Sequence, residues 1–185
     1  MDETNAESLP HGVQRLPLKR IKDTRGSLME TYRAEWLAYA PPVVQWNVNI
    51  SYPGTLRGFH VHWKHHDFLC ALSGRLHIGL QDMRPWSPTY ELAALTILDA
   101  GEPALVYIPP GVGHGFWFDK ETTHIYGVTH YWNTHDELAC RWDDRNIKVP
   151  WPCREPKLLS EKDQKAGTFD QMQASLLKHL LPPIE

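Results

Sequence analysis

An all-β sandwich or barrel is the fold this sequence predicts, on three observations. About seven or eight short segments read as strands, turn residues separate them, and no β-α-β alternation links them. The 15 prolines punctuate the text in the manner of strands and turns. A chain of 185 residues, 42% hydrophobic and 22% charged, suits one globular domain.

Taken in order, residues 1–12 read as a flexible N-terminal tail, and 13–185 as one domain with a C-terminal extension over 156–185. From Val13 to Arg33 short apolar runs are broken by Asp23-Thr24-Arg25-Gly26, a turn signal. A short helix is expected over Ala34–Tyr39, ended by Pro41-Pro42. From Val43 to Ser51 the pattern alternates. Val44, Trp46, Val48 and Ile50 fall on one face, and Gln45, Asn47, Asn49 and Ser51 on the other. That row of amides would face an interior cavity if the apolar face is covered from outside. Leu56–Trp63 is the next strand, and Phe68–Leu80 reads as a hairpin turning near Ser73-Gly74. Further strands are expected over Glu91–Leu98, Ala104–Ile108, Gly113–Phe118 and His124–Tyr131. The segment Asp143–Pro156 is proline-rich and extended, and Ser160 opens a helix carrying Leu176, Leu177, Leu180 and Leu181 on its later turns.

The net charge of −3 gives no bulk attraction to nucleic acid or to an anionic membrane. No stretch approaches the roughly 20 apolar residues that span a bilayer, and the acidic opening MDETNAESLP is unlike a secretory signal. Cys70, Cys140 and Cys153 are too scattered for a disulfide framework and read as reduced thiols of a cytoplasmic protein.

The 11 histidines are clustered. His60 and His62 share one face of a strand, by its two-residue period. Asp67 and then Gly74 follow, and Pro109-Pro110-Gly111-Val112-Gly113-His114 lies about forty residues on. The two motifs resemble those of the cupin superfamily. That resemblance implies a double-stranded β-helix, the cupin jelly-roll barrel, with a short C-terminal helical segment here. In metal-binding cupins the matching residues would be His60, His62, Asp67 and His114. Imidazoles with a carboxylate suit Fe, Mn, Zn or Ni; otherwise they are cavity hydrogen-bonding groups. His65 and His66 are expected in an exposed loop.

Within the cupins the chain is similar to the dTDP-4-dehydrorhamnose 3,5-epimerase family from about Leu16 to Phe169. The pieces are Asp23-Thr24-Arg25-Gly26 with Glu30, Gln45-x-Asn47 with Ser51, and Gly54-Thr55-Leu56-Arg57-Gly58-Phe59-His60. Next come Asp82-x-Arg84 with Ser87-Pro88-Thr89, then Ile108 to Phe116. Tyr126, Thr129 and Tyr131, Trp142-Asp143-Asp144 and Trp151-Pro152 complete the order.

The resemblance implies epimerisation of a nucleotide-linked 4-keto-6-deoxyhexose in deoxysugar biosynthesis, by a homodimer, with no cofactor and no metal. The base would be His60, whose imidazole titrates near working pH. Asp163 would orient that imidazole, and Tyr126 would be the general acid. Arg25 and Arg57 are candidates for the diphosphate, whose oxygens a guanidinium fork matches. Glu30, Gln45, Asn47 and His114 would complete the substrate site. Each has a plainer reading: Asp163, three residues after Ser160, fits a helix capping box, Tyr126 a strand aromatic, and Arg25 with Glu30 a surface ion pair.

Two positions depart from the family, His62, where it generally has no histidine, and Asp67, and the loop between His60 and Asp67 is shorter than usual. Aligned on Gly74, Asp67 stands where the family has a lysine thought to stabilise the enolate oxygen. Two other readings therefore stay open: a metal at His60, His62, Asp67 and His114, which would consume the proposed base, or a non-catalytic cupin that binds sugar nucleotides.

Overall fold

The structure, a computed structural model, describes residues 8–133 and 136–181. Two five-stranded antiparallel sheets face each other. In chain order the strands are β1 (Gln14–Pro17), β2 (Arg20–Asp23), β3 (Gly26–Met29), β4 (Gln45–Ser51), β5 (Leu56–His62) and β6 (Asp67–Ser73). They continue with β7 (Arg75–Asp82), β8 (Ala93–Asp99), β9 (Ala104–Ile108), β10 (Val112–Trp117), β11 (Thr122–Val128) and β12 (Glu137–Ala139). One sheet runs β1-β9-β6-β11-β4 and the other β12-β5-β10-β7-β8, while β2 and β3 form a separate ribbon. This is the expected jelly roll.

Three sequence expectations change. The Phe68–Leu80 segment is not a hairpin, because β6 and β7 belong to opposite sheets. The chain crosses between them at Gly74 (φ +71°), where a Cβ would come within 2.2 Å of the Glu121 carbonyl oxygen. The Ala34–Tyr39 helix is only a 3-10 turn over Ala34–Leu37, without a side-chain cap. The C-terminal helix is two, α1 (Glu161–Gln164) and α2 (Phe169–Leu180), the second opened by a Thr168–Gln171 capping box. Of the expected tail, residues 1–7 lie outside the described residues; Leu9 packs on the main core and Pro10 is buried.

Strand alternation divides the core. Leu69 and Ala71 of β6 join Leu76, Ile78, Leu80, Val106, Ile108 and Phe118 in the cluster between the sheets. Phe68 and Cys70 point the other way, into a layer with Leu37, Leu105 and Tyr107. Outside the second sheet, Phe59 and Val61 pack against Phe169, Met172 and Leu176 of α2. The outer face of β4 remains open: Trp46, Val48 and Ile50 are 42%, 64% and 57% exposed. Its amides turn inward, as the alternation predicts.

Candidate active site

The apolar filling stops short of one end of the barrel. There the same strands carry polar residues and leave a cavity of about 450 Å³, within the usual size for small-molecule sites. Strand β6 shows the change along its length: Ala71 and Leu69 in the core, then Asp67 in the cavity wall.

Strand β5 supplies Arg57, His60 and His62 to this wall. A strict two-residue period would not place residues 57 and 60 on one face. A bulge does: opposite β10, His60 pairs with His114 but Arg57 pairs with Phe116, three residues against two. Gly58 makes it possible at φ +108°, where a Cβ would lie 3.0 Å from Gly115 Cα and from the His114 carbonyl oxygen.

His60 Nε2 lies 2.7 Å from Asp163 Oδ1, joining residues 103 apart in sequence. Asp163 sits in α1, buried, and its Oδ2 accepts from Ser160 Oγ at 2.8 Å. The Asp163 amide donates to the same hydroxyl at 3.0 Å. Ser160 thus caps α1 and holds the Asp163 carboxylate, which in turn meets the imidazole. Burial pushes the Asp163 carboxyl up, but the hydrogen bonds from His60 and Ser160 hold it below its ordinary value. With Nε2 engaged, Nδ1 is the nitrogen left to take a proton. Tyr126 of β11 lines the same cavity, and burial, with the Asp67 charge adding, raises its hydroxyl pKa.

A second grouping lies beside this pair. His62, Asp67 and His114 are all buried, and each offers a donor atom within 4.8 Å of the others. His62 Nε2 and His114 Nε2 stand 3.9 and 4.0 Å from Asp67 Oδ2. His65 Nε2 stands 3.6 Å from Asp67 Oδ1. His65 is the clearest correction to the sequence reading: it is 1% exposed, in no open loop. The 63–66 turn is wrapped around the Asp136 carboxylate, which accepts the backbone N–H groups of Trp63, Lys64 and His65 at 3.1–3.2 Å and His65 Nδ1–H at 2.7 Å. His66 is part-buried against the Tyr107 hydroxyl at 2.6 Å.

Burial pushes the Asp67 carboxyl up, but the neighbouring imidazoles bring it to about 2. Burial takes His62 down to about 3, against the pull of Asp67. For His65 burial is outweighed by Asp136 and Asp67, and its pKa rises to about 9. At neutral pH the grouping thus holds anionic Asp67 and Asp136, cationic His65 and neutral His62.

The predicted residues therefore divide. His60, Tyr126, Asp163, Arg57 and His114 line the cavity. Arg57 Nε donates to Ser51 Oγ at 3.0 Å, which steadies the guanidinium. Arg25 and Glu30 do not line it. Arg25 is 88% exposed at the tip of the β2–β3 ribbon and pairs with Asp23 at 2.7 Å. Glu30 pairs with Arg33 rather than Arg25, at 2.5 Å. Gln45 and Asn47 are bonded to each other at 2.9 Å outside the lining, and their strand neighbour Asn49 takes the place in the wall. His60 stands with Asp163, not in the His62–Asp67–His114 group, so the four-residue metal set is not assembled. Sequence reasoning missed His65 and Asp136, and the ion pair of Lys162 with Glu137 in the lining. His65 could have been suspected from its place in the His-rich run; Asp136 carries no local signal.

Residues 9–171 match the family model of dTDP-4-dehydrorhamnose 3,5-epimerase. The enzyme of that name from Pseudomonas aeruginosa is 33% identical over 80% of this chain and 85% of its own length. The one from Neisseria gonorrhoeae is 32% identical over 90% of this chain, which spans 52% of that longer relative. Among solved structures, the rmlC epimerase of Mycobacterium tuberculosis superposes with a TM-score of 0.83 at 27% identity, covering 93% of this chain and 90% of that one. An epimerase of Legionella pneumophila, solved with dTDP-4-keto-L-rhamnose, gives 0.81 at 27% identity, covering 94% of each chain. With the family model matched over most of its length and the barrel shared, this chain belongs to the dTDP-4-dehydrorhamnose 3,5-epimerase family.

Proposed function

We propose that this protein is an isomerase that epimerises a nucleotide-linked 4-keto-6-deoxyhexose, with dTDP as the nucleotide, in deoxysugar biosynthesis. The observation that carries the reading is the 2.7 Å contact of His60 with Asp163 in a cavity that Tyr126 also lines. A hydrogen beside a ketone is weakly acidic. His60 Nδ1 takes that proton; the C–H electron pair forms the enolate double bond, and the carbonyl pair moves onto oxygen. Asp163 stabilises the imidazolium that results, as a carboxylate behind a histidine does. The Tyr126 hydroxyl, kept protonated by burial and the nearby Asp67 charge, returns a proton to the opposite face, which inverts the carbon. Exchange with solvent resets both groups. Arg57 and His114 stand in the lining to receive the substrate, Arg57 as the partner for its phosphates.

The remaining site residues fit a homodimer. The exposed apolar face of β4 is suited to a second copy, and Arg25 and Glu30, away from this chain's own cavity, would serve the partner's. No described helix is long and apolar enough to cross a membrane. The three free cysteines fit the reducing cytoplasm. Incubation with a dTDP-4-keto-6-deoxyglucose in heavy water tests the reading. Deuterium should enter a carbon beside the ketone, and His60→Asn should abolish entry. No label with any keto-sugar nucleotide would leave a sugar-nucleotide binder in its place.

A further inference from the structure

We propose that His62, Asp67 and His114 form a recognition site for a primary ammonium group, so that the sugar this protein takes carries an amino substituent. The substrate assignment rests on the epimerase reading; the site itself does not. Its geometry is that of three hydrogen-bond acceptors converging with no donor among them. His62 Nδ1–H donates to the Asp136 carbonyl oxygen at 3.4 Å, and His114 Nδ1–H to the Val112 carbonyl oxygen at 3.2 Å. A carbonyl oxygen only accepts, so each ring points its proton there and offers a lone pair at Nε2. Both Nε2 atoms face the same Asp67 oxygen, at 3.9 and 4.0 Å. No hydrogen bond joins groups across those distances. The three side chains are only 4–8% exposed, in the wall of the cavity.

A ligand that fills the space between them must bring donors. The atoms offered by the three residues lie within 4.8 Å of one another. Around one nitrogen at ordinary hydrogen-bond length, about 2.8–2.9 Å, acceptors 3.9–4.8 Å apart subtend roughly 85–120°. That range holds the tetrahedral directions of the three N–H bonds of an ammonium. A sugar hydroxyl brings one donor and leaves two acceptors unmet.

The charges agree with the geometry. His65 stands between Asp67 and Asp136, at 3.6 and 2.7 Å, and these carboxylates raise its pKa to about 9 against the effect of burial. Burial lowers the pKa of His62 and of His114 and keeps both rings neutral. Two carboxylates against one imidazolium leave one negative charge without its counterpart, and a buried unpaired charge is unfavourable. One ammonium restores neutrality. The other cations in the cavity wall are engaged elsewhere, Lys162 with Glu137 and Arg57 with Ser51.

The site also lies within reach of the base. His60 and His62 both line the cavity from β5, and their side chains leave the strand about 6.6 Å apart. A hexose ring with its substituents covers that separation. One sugar can therefore present a C–H to His60 and an amino group to Asp67.

The test uses nucleotide sugars without a ketone, so that binding is read apart from chemistry. These are dTDP-6-deoxyglucose and its 2-amino and 3-amino counterparts, titrated calorimetrically against the full-length protein near pH 7. The better amino sugar should bind about 10-fold or more tighter than the hydroxy sugar, as a charged hydrogen bond to a buried carboxylate allows. N-acetylation removes the charge and two of the three donors, and should abolish the gain. Asp67→Asn should bring the ratio of the two affinities close to one. The acetylated ligand needs no variant, so it decides the matter if Asp67→Asn fails to fold. Equal or weaker binding of both amino sugars by the wild type would overturn the proposal. So would a gain that survives acetylation, or an unchanged ratio in folded Asp67→Asn protein. Deuterium entry into the corresponding 4-keto sugars separates the two readings. Entry with dTDP-4-keto-6-deoxyglucose and no amino preference would remove this site and leave the epimerase. Amino preference without entry into any keto sugar would keep the site and remove the epimerase.

Discussion

Two carboxylate–imidazole groupings share one cavity wall, and they differ first in contact. His60 and Asp163 are in contact at 2.7 Å. His62 and His114 stand 3.9 and 4.0 Å from Asp67. Contact fixes the orientation and the tautomer of the ring. A gap of that width leaves the donor atoms pointed at a common space, with each ring tied back to a carbonyl oxygen. The supports differ in kind as well. Asp163 is placed by a helix cap, one hydroxyl and one amide. Asp67 is a strand residue, so its position is set by the registers of β6 with β9 and β11.

The largest effect expected on the contact pair comes from His60→Asn, which should reduce deuterium entry by about 10³-fold or more. Entry at the wild-type rate would remove the pair from the reaction. Asp163→Asn should cost roughly 10²-fold in the same exchange assay. Its melting temperature should fall as well, because Ser160 loses an acceptor. Tyr126→Phe should preserve part of the exchange yet suppress inversion, read by following both label and product stereochemistry.

A third buried carboxylate sharpens the contrast by having a purely structural role. Asp82 takes Arg84 Nε and Nη2 at 2.8 Å and the hydroxyls of Ser87 and Thr89 at 2.6 Å, stapling the loop between β7 and β8. Asp82→Ala should destabilise by about 3 kcal/mol, measured by urea unfolding, and should leave deuterium entry by the folded protein unchanged.

The last effect concerns acid stability. His124, 1% exposed near Tyr126, is pushed down to about 4 by burial, with Arg57 adding to the shift. The unfolded chain binds its proton near pH 6.5, so stability falls as pH drops from about 6.5 to 4, by on the order of 3 kcal/mol in total. His124→Gln should flatten that part of the profile. An unchanged slope would assign it to other buried histidines.

Much of the fold was legible locally. The β4 alternation separated its apolar face from its amide face, and the turn at Asp23–Gly26 marked the ribbon. The Phe68–Leu80 hairpin was misread because a jelly-roll crossing has the local text of a hairpin: two apolar runs about a Ser-Gly turn. Nothing in that text says that the strands pair elsewhere, β6 with β9 and β11, β7 with β8 and β10. The site divides the same way. His60, Tyr126 and Asp163, which line one cavity, were singled out because they stand in a recognisable order along the chain. Arg25 and Glu30 were found by the same order, yet sit away from this chain's own cavity.

By itself the sequence determined the residue chemistry: which side chains titrate, which segments prefer strands, and which positions match the family. It could not decide contact. His60 meets Asp163 across 103 residues and His65 meets Asp136 across 71. Such meetings depend on the packing of two sheets and a returning C-terminal segment, which local periodicity does not encode. Only the tertiary structure separated the imidazole that touches its carboxylate from those that stand clear of theirs. A difference of little more than 1 Å, set by strand register and one glycine bulge, divides the imidazole and carboxylate in contact from the three side chains that stand apart.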